Sequence, residues 1–144
     1  MKKLILLMVF VLMLSALASA TINQADLTNT QVLKTQANVQ LNNLPGIARS
    51  LLGDSKINVE YTPVNGSVIN YGITLDEGLV DNIQLTSLTN SNLDIYLSEN
   101  ALNQISNSAN PRQEAKTLIR NRTIRYQAHG FVTRLKINMA LRFL

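Results

Sequence analysis

The stretch Leu93–Gly130, LDIYLSENALNQISNSANPRQEAKTLIRNRTIRYQAHG, decides the fold, because its pattern changes from strand to helix twice and then back to strand. Its first apolar residues alternate with Asp94, Tyr96 and Ser98, which is the period of a half-buried strand. Alternation returns over residues 122–128. The segment therefore predicts a strand, two consecutive helices and a second strand.

The joints within this segment carry their own signals. Ser98 is a favoured N-cap residue for a helix that begins at Glu99. Asn110-Pro111 ends that helix and begins the next one, because proline cannot continue a helix but suits its first position. Gly130 marks the end of the last strand.

The first twenty residues have the pattern of a secretory signal peptide. Lys2 and Lys3 precede an apolar run over residues 4–14, and Ala18-Ser19-Ala20 fits the small-residue cleavage rule. We expect cleavage after Ala20 and a secreted or extracytoplasmic protein of the cell envelope. An uncleaved membrane anchor is less favoured, since the run is shorter than the ~20 residues of a spanning helix. After cleavage no transmembrane segment is expected.

The remainder predicts a short polar segment and one main domain over residues 44–144. Residues 21–43 predict a helix from about Thr28 to Leu41 that packs peripherally or acts as a spacer. The later strands all alternate, so each has one apolar face, as in antiparallel sheets. We therefore predict a two-layer α+β domain, with a mostly antiparallel sheet of about five strands and helices covering one face.

Residues 131–144 fit two patterns. The odd positions from 135 to 143 are apolar, which is strand alternation. Val132, Leu135 and Met139 also share a helical face, and the residue types are good helix formers. A helix is the preferred prediction and a strand is the alternative.

The residue types argue against an enzyme or a metal protein. The chain has no cysteine and one histidine, which excludes ordinary zinc, iron–sulfur and thiol sites, so no cofactor is expected. His129 is predicted to be a loop residue without a catalytic partner, and no glycine-rich phosphate loop or G-x-S-x-G motif occurs. Asn65 and Asn121 begin N-x-[ST] sequons and are potential glycosylation sites.

Charge is concentrated at one end of the chain. Residues 21–110 contain three basic and eight acidic residues, whereas residues 111–144 contain eight basic residues and Glu114 alone. Such asymmetry suits an anionic partner, which for an exported protein is a lipid headgroup or another envelope component rather than nucleic acid. The predicted basic face consists of Arg112, Lys116, Arg120 and Arg125, with Arg122 nearby in sequence. The alternative is a solvated face that only keeps the surface soluble.

From about Ile57 to Leu144 the chain resembles a sterol carrier protein type 2-like domain. The matching pieces are LDIYLS at 93–98, the Asn110-Pro111 step, the strand that ends at Gly130 and the apolar C-terminal segment. It resembles more closely small secreted archaeal proteins of unassigned function that carry this domain behind a signal peptide. One departure is Asn121-Arg122, which stands where the family usually has a glycine, and another is Phe131, which replaces an acidic residue.

The resemblance implies a non-enzymatic domain that binds an apolar or lipid-like ligand between the sheet and the helices. The residues expected to line that ligand are Leu102, Ile105, Leu118, Ile119, Leu135 and Met139. The same residues would also serve as a dry core. The alternative function is therefore an envelope interaction module with a filled core, whose basic face holds an anionic partner.

Overall fold

The computed structural model describes residues 26–43 and 46–135. The predicted signal peptide, its cleavage point after Ala20, and Met139 lie outside these residues. A short 3-10 helix, Asp26–Thr28, precedes the main elements. In chain order these are α1 (Thr30–Asn42), α2 (Gly46–Leu52), β1 (Lys56–Thr62), β2 (Ile69–Asp76), β3 (Leu79–Gln84), β4 (Leu93–Ser98), α3 (Glu99–Asn107), α4 (Pro111–Arg120) and β5 (Arg125–Ala128).

The strands of the described chain form a five-stranded sheet in the order β3-β2-β1-β4-β5. Strands β1 and β4 are parallel, and the other neighbours are antiparallel. The parallel pair arises because β2 and β3 extend the sheet on one side of β1 before the chain returns on its other side. The predicted α+β fold with a mostly antiparallel sheet is confirmed.

One apolar cluster packs between the sheet and the helices. Alternate residues of β1, β2 and β4 enter it, as the pattern of β1 shows with Ile57, Val59 and Tyr61. Helices α3 and α4 contribute the buried side chains Ala101, Leu102, Ile105, Ala115, Leu118 and Ile119. Within the described residues the buried set contains no polar or charged side chain. The core is therefore built on hydrocarbon burial.

Helix α1 belongs to this core, which corrects the prediction of a peripheral segment or spacer. Leu33, Ala37 and Leu41 lie four residues apart on one face and are buried. On a neighbouring face, the Asn38 amide accepts from the Val80 backbone N–H at 2.7 Å and donates to the Val80 carbonyl at 2.9 Å. Val80 lies in the edge strand β3, so the helix covers a sheet edge that would otherwise be open.

Two other boundaries differ from the sequence-based prediction. Strand β5 begins at Arg125 rather than at Arg122, because residues 121–124 form a turn in which the Ile124 N–H donates to the Leu118 carbonyl. Strand β3 ends at Gln84, which leaves Leu85 exposed. Residues 131–135 are helical, in agreement with the preferred prediction for the start of the C-terminal segment.

The outer face of the sheet is partly covered by the loop between β3 and β4. The Asn58 side chain accepts from the Leu88 N–H at 2.7 Å and donates to the Leu88 carbonyl at 3.0 Å. Gly72 pairs with Asn58 across β1 and β2, and a Cβ there would lie 2.5 Å from the Thr86 carbonyl oxygen. Close approach of the loop therefore requires glycine at position 72.

Candidate functional site: a basic cleft between a helix and the edge strand

A cleft of about 460 Å³ opens between α4 and β5. The turn that joins these two elements forms its third wall. The residues that line the cleft are Lys116, Ile119, Arg120, Arg122, Ile124, Arg125 and Tyr126. Four of them are cations and three present hydrocarbon or an aromatic ring.

Helix α4 positions the first two cations. The Asn110 side chain accepts from the Gln113 N–H at 3.2 Å, and Pro111 occupies the first turn, so the start of the helix is fixed by local signals. Lys116 and Arg120 are four residues apart and therefore project from the same side of the helix. Both line the cleft.

The turn after α4 brings in a third cation through an unusual backbone conformation. Arg122 has φ of +63°, in the left-handed region that favours glycine. The Asn121 side chain holds the turn by accepting from the Thr123 N–H at 3.2 Å and the Thr123 hydroxyl at 2.7 Å. This turn stands where the resemblance leads us to expect a glycine. The departure places an exposed arginine at the mouth of the cleft.

The apolar part of the cleft is supplied by three residues that also belong to or border the core. Ile119 and Ile124 are buried, and Tyr126 packs against the core cluster. Burial raises the pKa of the Tyr126 phenol above its usual range, so this ring is uncharged at neutral pH. The cleft thus offers an uncharged floor beneath a positively charged rim.

The described residues provide no carboxylate partner for the rim charges. Among the residues that the structure describes, no ion pair involves Lys116, Arg120, Arg122 or Arg125. Arg125 lines the cleft, but its guanidinium lies over the Tyr96 ring on the outer face of the sheet, 5.2 Å from the ring centroid, in a cation–π contact. The cleft is therefore electropositive and suited to an anion.

The structure brings together most of the predicted basic face and adds one residue to it. Lys116, Arg120 and Arg125 line the cleft, while the side chain of Arg112 lies outside the described part of the molecule. Arg122 was not included in the predicted face. Its signal in the sequence was the substitution of Asn121-Arg122 for the glycine expected from the resemblance.

The residues predicted to line an apolar ligand are more dispersed. Leu102, Ile105 and Leu118 are buried in the core, and Ile119 lines the cleft. Leu135 is 45% exposed. Their role as a ligand lining stays a prediction. The same applies to glycosylation at Asn65 and Asn121, both of which lie on the surface.

A separate polar cluster on the outer face of the sheet surrounds Asp94. Its carboxylate accepts from Ser91 Oγ at 2.6 Å and from Asn58 Nδ2 at 3.0 Å, and its other oxygen lies 2.6 Å from His129 Nε2. His129 follows β5 as a loop residue, as predicted, but its pair with Asp94 was not foreseen, because β4 and β5 had to be aligned to reveal it. Ser91 and His129 both contact the carboxylate, so the arrangement is not a serine–histidine nucleophile pair.

This cluster makes a testable contribution to stability. Burial raises the pKa of Asp94, but hydrogen bonds from Ser91, His129 and Asn58 outweigh that effect and hold the pKa below its usual value of 3.8. The stabilisation is therefore present above pH 3.8 and is lost as pH falls through the lower folded-state pKa. We expect Asp94→Asn to lower the free energy of unfolding by about 1–2 kcal/mol at pH 7 and by less in acid.

Urea denaturation at pH 7 and at about pH 3 measures this difference. Asp76→Asn, at the exposed end of β2, is the matched control. The stabilising role of the Asp94 cluster is contradicted if Asp94→Asn loses no more free energy of unfolding than the control at pH 7. It is also contradicted if that loss does not shrink in acid.

The comparisons with known proteins identify the fold. No protein-family model and no curated protein matches the chain. A solved structure described as "UbiJ-SCP2 Ubiquinone synthesis protein" superposes with a TM-score of 0.54 at 19% sequence identity, covering 81% of this chain and 93% of that chain. This chain has a sterol carrier protein type 2-like fold. That part of the resemblance read from the sequence is confirmed.

The described residues show neither a metal cluster nor a membrane-spanning helix. No group of three or more His, Cys, Asp or Glu side chains in this part of the chain is arranged to hold a metal ion. No helix within it combines the length and the apolar character needed to cross a membrane.

Proposed function

We propose that this chain is a non-enzymatic domain that binds an apolar or lipid-like molecule in the cleft between α4 and β5. The observation that carries the proposal is the apolar floor formed by Ile119, Ile124 and Tyr126 within a sterol carrier protein type 2-like fold. The similar structure is named for ubiquinone synthesis. For this chain we propose only the broader class of ligand.

The geometry suits such a ligand. The cleft volume of about 460 Å³ falls within the range of small-molecule sites, about 300–1,000 Å³. Its walls are α4 and the edge strand β5, so it lies at the edge of the layer in which the resemblance implies a ligand. Ile119 belongs both to this cleft and to the set predicted from the sequence.

The rim supports a second candidate, in which the core is filled and the basic face holds an anionic envelope component. The observation that favours it is the group of cations Lys116, Arg120 and Arg122 along the cleft, for which the described residues provide no ion-pair partner. The two functions respond differently to salt. Binding through exposed charges weakens as the Debye length falls to about 8 Å at physiological ionic strength, whereas hydrocarbon burial is not weakened by moderate salt.

We also propose that the protein acts outside the cytoplasm, on the strength of the signal-peptide pattern at residues 1–20. The binding experiment below uses the exported protein, and its intact mass gives the first residue. A mass corresponding to a chain that begins at Thr21 supports export with cleavage. A mass that still includes Met1 contradicts it.

The test is titration of an apolar fluorescent probe into wild type and two matched variants. Ile119 in the cleft and Ile83 in β3, at the opposite edge of the sheet, are the same residue type and both are 9% exposed. Ile119→Ala should weaken probe binding about tenfold, since lost hydrocarbon contact is worth ~0.8 kcal/mol per methylene. Ile83→Ala should change the probe affinity by less than about twofold.

Two results would overturn the proposal. Equal weakening by both variants means that the probe does not occupy the cleft. If the probe binds at neither low nor physiological salt, the proposal of an apolar ligand is contradicted. The anionic partner is then the better candidate.

A further inference from the structure

The rim of the cleft concentrates like charges around an apolar surface. The lining contains Lys116, Arg120, Arg122 and Arg125 and no carboxylate. Like charges at neighbouring positions repel one another, as Lys116 and Arg120 do on successive turns of α4. The fold therefore maintains an arrangement that an anion would stabilise.

Arg122 adds an independent observation. Its φ of +63° is a conformation that residues with a side chain rarely adopt and that glycine adopts without strain. The residue is exposed, so its side chain contributes little to the core. Backbone strain of this kind often marks functional positions, where a side chain is kept although its backbone conformation is unfavourable. Here that side chain is a guanidinium at the mouth of the cleft.

We propose that the cleft binds a lipid whose headgroup is a phosphate monoester. This inference rests on the proposed function and names the class of ligand. The hydrocarbon chain lies on Ile119, Ile124 and Tyr126, and the phosphate contacts the rim cations. Guanidinium groups match phosphate oxygens in a bidentate geometry that a lysine ammonium does not reproduce.

The charge of the rim selects this headgroup. A phosphate monoester carries about −1.5 to −2 charges at pH 7, whereas a carboxylate or a phosphodiester carries one. The monoester therefore neutralises a larger part of the clustered charge of Lys116, Arg120 and Arg122. Free inorganic phosphate has similar charge but leaves the apolar floor in contact with water. A lipid with this headgroup covers the apolar floor with its hydrocarbon chain and neutralises the rim with its phosphate.

Three probes separate the parts of this proposal by isothermal titration below the critical micelle concentration. They are a single-chain lysophosphatidic acid, the monoacylglycerol with the same chain, and inorganic phosphate. We expect the lysophosphatidic acid to bind at least about tenfold more tightly than the monoacylglycerol, because charged hydrogen bonds contribute only to the former. Its affinity should fall with added salt, and that of the monoacylglycerol should not.

Arg122→Gly is the decisive variant, because it removes the charge and also fits the observed backbone angle. It should weaken the binding of lysophosphatidic acid about tenfold and change the affinity for monoacylglycerol by less than about twofold. Arg122→Lys, which keeps the charge but not the planar fork, should have an intermediate effect. Lys56→Gln, at an exposed position of β1 outside the cleft, is the charge-matched control and should change neither affinity.

The outcomes distinguish this inference from the proposed function. Equal affinity for lysophosphatidic acid and monoacylglycerol, with no effect of Arg122→Gly, contradicts the proposed phosphate headgroup. It leaves the proposal of an apolar ligand intact. If inorganic phosphate binds as tightly as lysophosphatidic acid, the proposal of a lipid ligand is contradicted and the cleft is an anion site. If none of the three probes binds, the headgroup and the proposed function fail together.

Discussion

The Leu118→Ala variant should unfold with a free energy about 2–5 kcal/mol lower than that of wild type. Leu118 is 3% exposed and belongs to the apolar cluster between α4 and the sheet. The substitution removes buried hydrocarbon and leaves a cavity that the neighbouring side chains fill only in part. Chemical denaturation in urea or guanidinium measures the difference.

Lys116→Ala, two residues earlier on the same helix, is the control. Its side chain lines the cleft rim rather than the core, so its effect should stay within about ±0.5 kcal/mol. Leu118 was also among the residues predicted to line a ligand. If it faced an empty cavity, truncation would remove few contacts and the loss would be small. Equal, small effects in the two variants would therefore contradict a packed core at this position.

Local signals in the sequence were sufficient to predict much of the fold. Ser98 accepts a hydrogen bond from the Ala101 N–H at 3.2 Å as the N-cap of α3, and Asn110 caps α4 in the same way. The alternation of the strands predicted one buried face for each, which β1 and β2 show. Capping and alternation involve residues within a few positions of each other, so they can be read without knowing which elements pack together.

The features that were missed depend on contacts between distant parts of the chain. Asn38 and Val80 are 42 residues apart, and their paired hydrogen bonds are what join α1 to the edge of the sheet. The apolar face of α1 is also narrow, which made it look peripheral in the sequence. The contact between Asp94 and His129 spans 35 residues and required the pairing of β4 with β5.

The candidate site was predicted in part for the same reason. The spacing of Lys116 and Arg120 on one helical face was sufficient to predict a basic stripe. The apolar floor was not predicted as part of that surface, because Ile124 was assigned to a strand that begins only at Arg125. Arg122 was predicted only to lie near the basic face in sequence, because its place in the cleft follows from the turn, with its positive φ, and not from any periodic pattern.

The turn between β2 and β3 provides the second large effect, and we expect Gly78→Ala to lower the free energy of unfolding by about 2–5 kcal/mol. Gly78 has φ of +78°, which costs a residue with a side chain ~1–2 kcal/mol. An added Cβ would also lie 2.1 Å from the Arg49 carbonyl oxygen in α2. That atom belongs to backbone, so relief requires the helix and the hairpin to separate, and such overpacking costs ~1–3 kcal/mol.

Gly66→Ala separates the cost of backbone strain from the cost of the steric clash. Gly66 has φ of +81°, but a Cβ there would meet nothing within 4 Å, so this variant should lose only the ~1–2 kcal/mol of backbone strain. Equal losses at the two glycines would mean that the hairpin does not pack tightly against α2. Neither glycine lines the cleft. Folded Gly78→Ala should therefore bind the apolar probe like wild type, which shows that lost stability alone does not weaken binding there.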